Sequence, residues 1–166
     1  MNTTVAEPSA KSPDATEVRA SRMLGDLIRV CRDGEDFHRS AAERCVSDSM
    51  RAHLMERSHQ RAGFVAALQT LQRRHGGDSV RESGSVAAAH RTWNEMRDAF
   101  SPITDEAILS DLDAAEASAI QGYRNILNDF PAGLYPADAA VIAFHLREIG
   151  RSRDSLRALQ TANLAG

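Results

Sequence analysis

The sequence LGDLIRVCRDGEDFHRSAAERC, residues 24–45, decides the fold class of this chain. Its apolar residues recur three or four positions apart, as they do on one face of an α-helix. Leu24, Leu27, Ile28 and Cys31 begin that face. The whole chain contains 27 alanines but only 8 valines and 7 isoleucines, and this composition favours helix over sheet. We therefore predict an all-α protein.

The same periodicity predicts five helices. We expect them over residues 17–47, 50–75, 85–100, 104–129 and 137–161. The second helix should stop at Gly76 and Gly77, because glycine commonly ends helices. The third should end before Pro102, and the loop FPAGLYP at residues 130–136 should separate the last two.

The lengths of the links set the predicted topology. A short link forces the two helices it joins to run antiparallel, so helices one and two form a hairpin, as do helices four and five. The segment between the hairpins, residues 76–104, is long enough to cross the bundle with a helix of its own. We therefore predict a ferritin-like up-down-down-up four-helix bundle with an extra crossover helix between the second and third bundle helices.

The composition excludes several classes of protein. A formal charge of −3 and a pI of about 6.1 provide no basic field to bind nucleic acid or acidic lipid, and no run is apolar enough to span a membrane. Residues 1–17 lack the features of a signal peptide, and we expect a disordered tail there and a single domain over residues 18–166. Cys31 and Cys45 lie fourteen residues apart on one helix, too far for a disulfide, which favours a reducing, cytoplasmic location.

Four stretches of the chain together resemble a known family. They are the 24–45 sequence quoted above, RAGFVAALQTL at 61–71, SGSVAAAHRTW at 83–93 and DLDAAEASAIQGYRNIL at 111–127. In order and spacing they resemble an uncharacterised bacterial family of ferritin-like four-helix-bundle proteins, a domain of unknown function, over residues 21–159. The resemblance implies the ferritin-like fold and an ancestral dinuclear metal site. It implies no established activity.

Glu-x-x-His pairs are the pattern that a metal site in such a bundle requires, because two of its helices each supply one pair and the other two each supply a Glu. This sequence has two matches, Glu35 with His38 and Glu56 with His59. The first pair straddles the apolar face of its helix, so both side chains can face the core. The second lies about 100° or more from the apolar face, and we expect Glu56 and His59 to face water.

Arg61 is the charged residue that the second helix points inward at mid-bundle. The predicted topology places it level with Glu35 and Glu116. A guanidinium repels metal cations, and its planar fork satisfies carboxylates. We therefore predict a structural ion network of Glu35, Arg61 and Glu116, with His38 and His145 as hydrogen-bonded core residues.

Two further hypotheses stay open. In the first, the bundle binds one iron, manganese or zinc ion through nitrogen and oxygen ligands, and these ligands are Glu35, His38, Glu116, His145 and Glu148. A ferroxidase-like or peroxide-related activity would then depend on that ion. In the second, the bundle is an interaction or stress-response protein, and exposed helix faces or the predicted crossover helix engage a partner.

Signatures of other kinds of catalysis are missing from the sequence. It contains neither a Cys-x-x-Cys motif nor a glycine-rich loop after a strand. The leading hypothesis is therefore a non-catalytic ferritin-like bundle, a structural or stress-associated interaction protein that needs no cofactor. The alternative is an iron- or manganese-binding protein. We expect no nucleic-acid or membrane partner, and the candidate partners are a second copy of the chain, forming a homodimer, or another protein.

Overall fold

A computed structural model describes residues 14–77, 104–129 and 136–164. These residues form four α-helices: α1 over Ala15–Arg44, α2 over Asp48–Arg74, α3 over Asp105–Asp129 and α4 over Pro136–Leu164. They contain no strand, which confirms the all-α prediction. Within the same ranges, no helix combines the length and the apolar character that a bilayer crossing requires. The predicted crossover helix at 85–100 lies outside the described residues, as does most of the predicted tail.

The start of α1 is set by a capping box. The carboxylate of Asp14 accepts a hydrogen bond from the backbone N–H of Thr16, and the carboxylate of Glu17 accepts one from the N–H of Asp14. Such a box provides partners for N–H groups that the first turn of a helix leaves unbonded. Residues 15–17, which the sequence analysis placed in the tail, are therefore helical.

The turn between α1 and α2 fixes the place where α3 begins. Arg51 donates a hydrogen bond to the carbonyl of Cys45 at 3.0 Å, just past the last turn of α1. Asp105, at the start of α3, accepts hydrogen bonds from the backbone N–H groups of Val46 at 2.9 Å and Ser47 at 3.3 Å. Consequently α3 begins at the end of the bundle where α1 stops.

The last turn of α2 lies at the opposite end of the bundle. Gly77 donates its N–H to the carbonyl of Gln72 at 3.1 Å, and Gly76 adopts a positive φ of 68°, as in a Schellman motif. The side-chain amide of Gln72 donates to the carbonyl of Ser21, near the start of α1, at 3.0 Å. Because α2 ends at one end of the bundle and α3 starts at the other, the helices run up, down, down and up, as predicted.

Two apolar clusters stacked along the bundle form the core. The first lies toward the start of α1 and contains Leu24, Leu27, Ile28, Cys31, Phe64, Leu68, Leu71, Ile120, Tyr123, Ile142 and Ile149. The second lies toward the end of α1 and contains Ala41, Ala42, Cys45, Met50, Leu54, Ile108, Leu109, Leu112 and Leu156. Between them lies a layer of buried polar residues to which every helix contributes. We call it the polar layer, and it comprises His38, Ser58, Arg61, Glu116 and Ser152.

A buried ion pair at one end of the bundle was not predicted. Asp138, in the first turn of α4, is fully buried, and its carboxylate lies 2.7 Å from Nε2 of His75 and 3.1 Å from the guanidinium of Arg74. His75 is buried as well, whereas Arg74 is half exposed. This contact could not be predicted from the sequence, because an Asp in the first turn of a helix is ordinarily explained by the favourable interaction of its charge with the helix dipole. Here it joins the end of α2 to the start of α4.

We expect Asp138→Ala to lower the free energy of unfolding by about 1–3 kcal/mol, because His75 loses a buried hydrogen-bond partner. The loss should stay in that range because water can hydrate the half-exposed Arg74. Urea denaturation at neutral pH measures it. Asp111→Ala, on the exposed face of α3, is the matched control and should change the value by less than about 0.5 kcal/mol. Equal effects of the two substitutions would contradict the link between α2 and α4.

Candidate functional site

Glu116 of α3 is the centre of the polar layer. Its side chain is 1% exposed, and both carboxylate oxygens have partners. Oε2 accepts a close hydrogen bond from Nη2 of Arg61 on α2, and Oε1 accepts one from Oγ of Ser152 on α4 at 3.1 Å. The carboxylate therefore joins three helices.

His38 brings α1 into the same contact. Its Nδ1 lies 2.7 Å from the carbonyl oxygen of Gly34, one turn earlier on α1. Its Nε2 lies 3.1 Å from Oε1 of Glu116, but without the alignment of a hydrogen bond. The His38 ring is almost fully buried. With it, side chains from all four helices meet at the Glu116 carboxylate.

The environment of Glu116 favours its ionised form. Burial alone raises the pKa of this carboxyl group, but the His38 ring and the Arg61 guanidinium outweigh burial, and the pKa lies below its ordinary value. The guanidinium is always charged in proteins. The polar layer therefore contains a buried, charge-assisted pair.

Arg61 packs against Gly34 of α1 in the bundle interior. A Cβ at position 34 would lie 3.4 Å from Nε of Arg61, which is an ordinary van der Waals contact. The guanidinium carbon also lies over the ring of Phe64, 5.9 Å from its centre. Nη1 of the same guanidinium has no hydrogen-bond partner among the described residues. Arg61 is thus held by packing and by Glu116, with one nitrogen still able to donate.

Glu35, contrary to the prediction, points its carboxylate away from this network. The side chain is 28% exposed and lies 3.8 Å from Arg39, one turn later on α1. Its backbone carbonyl does contact the neighbouring helix, since it accepts a hydrogen bond from Oγ of Ser58 at 3.0 Å. The carboxylate points outward because Glu35 lies at the edge of the apolar face of α1, where a long charged side chain can reach water.

The structure brings together two of the five predicted metal ligands, Glu116 and His38. Glu35 contacts Arg39, and Glu148 contacts Arg151 at 2.6 Å. Within the described ranges, no group of three or more His, Cys, Asp and Glu side chains is arranged to hold a metal ion. A dinuclear centre of the ferritin-like type takes carboxylates from four helices. Among the described residues, the polar layer offers one carboxylate, which is already bonded to a guanidinium, and one imidazole. These groups do not fit a dinuclear centre.

The second Glu-x-x-His pair faces water. Glu56 is 68% exposed and contacts the neighbouring Arg57 at 2.8 Å, and His59 is exposed as well. The helical wheel predicted this orientation, whereas the motif alone suggested the opposite. The pair therefore does not reach the polar layer.

His145 belongs to a second set of buried polar contacts. Its Nδ1 lies 3.3 Å from the hydroxyl of Tyr123, which lies 3.0 Å from Sγ of Cys31, and its ring stacks on Phe64 with the centres 4.0 Å apart. Burial and the charge of Arg61 lower the pKa of His145 to about 4, while burial raises the pKa of Tyr123 and that of Cys31. All three side chains are therefore uncharged at neutral pH.

The serines of the polar layer were missed by the sequence analysis. Ser152 lies three residues after Ile149 and four before Leu156, and so it occupies the apolar face of α4. Buried polar groups almost always have hydrogen-bond partners, so a serine at such a position indicates a buried acceptor. The helical spacing of α4 could therefore have pointed to Ser152.

His145 should make the stability depend on pH. Its pKa is about 4 in the folded chain against 6.5 in the unfolded chain, so the unfolded chain takes up the proton first as the pH falls. The stabilisation is full above pH 6.5 and is lost as the pH falls toward 4. We expect His145→Gln to remove about 2 kcal/mol of the loss in unfolding free energy between about pH 7 and pH 5, measured by urea denaturation. His59→Gln is the exposed control, and a variant at position 145 with the unmutated pH dependence would contradict this prediction.

One solved structure similar to this chain is that of Dps from Mycobacterium smegmatis in its tetragonal form. The TM-score is 0.71, and the match covers 93% of this chain and 92% of that chain at 15% sequence identity. At this identity the likeness shows the fold alone, and the fold is the ferritin-like one that the sequence predicted. A search of curated proteins finds no match to the chain.

The sequence itself matches a family profile. The profile is described as Domain of unknown function (DUF2383), and it matches residues 19–129. The match covers most of α1 and all of α2 and α3, the helices that supply His38, Arg61 and Glu116. Because the match extends over more than half of its length, the chain belongs to the DUF2383 family.

Proposed function

We propose that this protein is a non-catalytic ferritin-like bundle with a structural or interaction role, in which an ion network of Arg61, Glu116 and His38 stands in place of an intrabundle metal centre. The observation that carries the proposal is the buried contact between Arg61 and Glu116. A carboxylate that already accepts from a guanidinium and from the hydroxyl of Ser152 has little capacity left for a cation. The fixed charge of the guanidinium also repels one.

The position of the network supports a structural role. Buried polar groups must keep their partners, and sliding one helix along its neighbours would separate Glu116 from Arg61, Ser152 and His38. Apolar side chains alone tolerate such shifts better, because their contacts have little directionality. The polar layer therefore specifies the register of the four helices, a role that a buried polar residue has in some coiled coils.

The chemistry of the cysteines supports a reducing environment for this role. Cys31 and Cys45 are both free and buried. Free buried thiols are typical of the cytoplasm, where disulfides rarely persist. The proposal therefore includes a cytoplasmic location and no cofactor. Its partner would be a second copy of the chain or another protein docking on the exposed helix faces.

Arg61→Ala tests the network. We expect it to lower the free energy of unfolding by about 3–5 kcal/mol, because it leaves the Glu116 carboxylate buried without its counter-charge. That is a large share of the roughly 5–15 kcal/mol that stabilises a typical domain. The double variant Arg61→Met with Glu116→Gln removes both charges and should cost much less. Urea denaturation of the purified proteins measures both losses.

A control on the same helix tests whether the loss of stability depends on the burial of the guanidinium. Arg73→Ala removes an exposed guanidinium from α2 and should change the free energy of unfolding by less than about 0.5 kcal/mol. An Arg61→Ala variant as stable as the unmutated chain would contradict the proposal. So would a double variant that is less stable than the single one.

A further inference from the structure

A cavity of about 220 Å³, partly open to solvent, lies between α1 and α3. Gly34 and Phe37 of α1 line one wall, and Ala115 and Ala119 of α3 line the other. Three of these four residues are glycine or alanine, so the two helices leave space between them. An apolar cavity of about 150 Å³ binds benzene, so the cavity in this bundle has room for a larger aromatic ring system.

The charges that line the cavity oppose an anion. Asp33 at its rim and Glu116 at its inner side are carboxylates, and Arg61 provides one guanidinium among the described lining residues. Carboxylates repel negative groups, whereas they accept hydrogen bonds from N–H donors and attract positive charge. The cavity therefore suits an aromatic group that carries an N–H donor.

The segment that joins α2 to α3 begins and ends beside α1. A Cβ on Gly77, the last described residue of α2's end, would collide with Oγ of Ser21 near the start of α1. Asp105, at the start of α3, accepts a hydrogen bond from the N–H of Val46 just past the end of α1. Residues 78–103 therefore connect the two ends of α1, and the shortest course between them follows that helix.

Trp93 lies about halfway along this segment, as the cavity lies about halfway along α1. Trp93 is the 16th of the 28 residues 78–105, and Gly34 is the 13th of the 25 residues 22–46. The predicted helix over 85–100 would span about 24 Å, and the residues that flank it can extend over the rest of the roughly 38 Å of α1 and its turn. The length of the segment thus allows Trp93 to reach the level of the cavity.

The sequence around Trp93 is amphipathic. Its apolar residues recur three or four positions apart and are Val86, Ala89, Trp93, Met96 and Phe100. Arg97 follows Trp93 by four residues, so in a helix the two side chains lie on the same side. A positive charge beside Trp93 complements the carboxylate of Asp33 at the rim of the cavity.

We propose that the cavity between α1 and α3 is a docking site for the chain's own segment 85–100 and holds the indole ring of Trp93. Amphipathic helices bind apolar grooves through residues at this spacing. A buried tryptophan usually donates its N–H to a partner, and the carboxylates of the lining are acceptors for it. This inference goes beyond the proposed function and does not depend on the ion network.

A second apolar surface lies on α4. Phe144 is 47% exposed there, and its ring packs at its edge against Phe64. However, α4 lies diagonally across the bundle from α1. A segment that joins the two ends of α1 would have to leave that helix to cover Phe144.

Trp93 is the only tryptophan of the chain, so its fluorescence tests the docking directly. In the full chain we expect the short-wavelength emission of a buried indole and weak quenching by acrylamide. Ala119→Leu fills the cavity, so it should shift the emission to longer wavelength and raise the quenching constant severalfold. Ala114→Leu makes the same change on the exposed face of α3 and should leave both values unchanged. Circular dichroism checks that each variant stays helical.

A second experiment leaves the cavity walls intact. Trp93→Ala should empty the cavity, so calorimetric titration with free indole should give one site per chain, and indole should raise the melting temperature. The unmutated chain should bind indole about tenfold more weakly or not at all, because its own Trp93 occupies the cavity. Adding Ala119→Leu to the Trp93→Ala chain should abolish indole binding.

Three outcomes would overturn the proposal. The first is solvent-exposed emission from Trp93 in the unmutated chain, or equal emission in the Ala119→Leu and Ala114→Leu variants. The second is exposure of Trp93 by Phe144→Ala but not by Ala119→Leu, which would place the segment on α4. The third is exposure of Trp93 on dilution, together with dissociation of a dimer in sedimentation, which would show that a second copy supplies the indole.

Discussion

The contact between Arg61 and Glu116 holds two opposite charges in the interior of this bundle. Removing a guanidinium and a carboxylate from water costs several kcal/mol for each ion, and only close, hydrogen-bonded pairing compensates for it. Apolar clusters lie on both sides of this pair, and both side chains are almost fully buried. Ser152 and His38 complete the surroundings of the carboxylate. These contacts make the two buried charges tolerable.

Much of the fold could be predicted because helices leave a periodic pattern in the sequence. The apolar stripe of residues 24–45 fixes the buried face of α1, and glycines 76 and 77 mark the end of α2. The inward position of Arg61 follows from the same wheel, as does the exposure of Glu56 and His59. These features depend on one helix at a time, so local spacing is enough to predict them.

Contacts between helices were harder to predict because they depend on how far each side chain extends and on how each helix is rotated about its axis. Glu35 and Glu116 were both placed level with Arg61, but Glu35 lies at the edge of its stripe and extends toward water beside Arg39. The contact between Asp138 and His75 joins residues 63 positions apart, and no local pattern connects them. A serine within an apolar stripe, such as Ser152, was the available signal of a buried acceptor.

We propose that a guanidinium, and not a metal ion, neutralises Glu116. Elemental analysis of protein purified without chelators or a metal-affinity tag tests it most directly, together with thermal melts before and after chelator treatment. We expect no stoichiometric iron, manganese or zinc, and a melting temperature that the chelator leaves unchanged. A bound ion at one per chain, whose removal lowers the melting temperature, would show that a metal and not Arg61 neutralises the carboxylate.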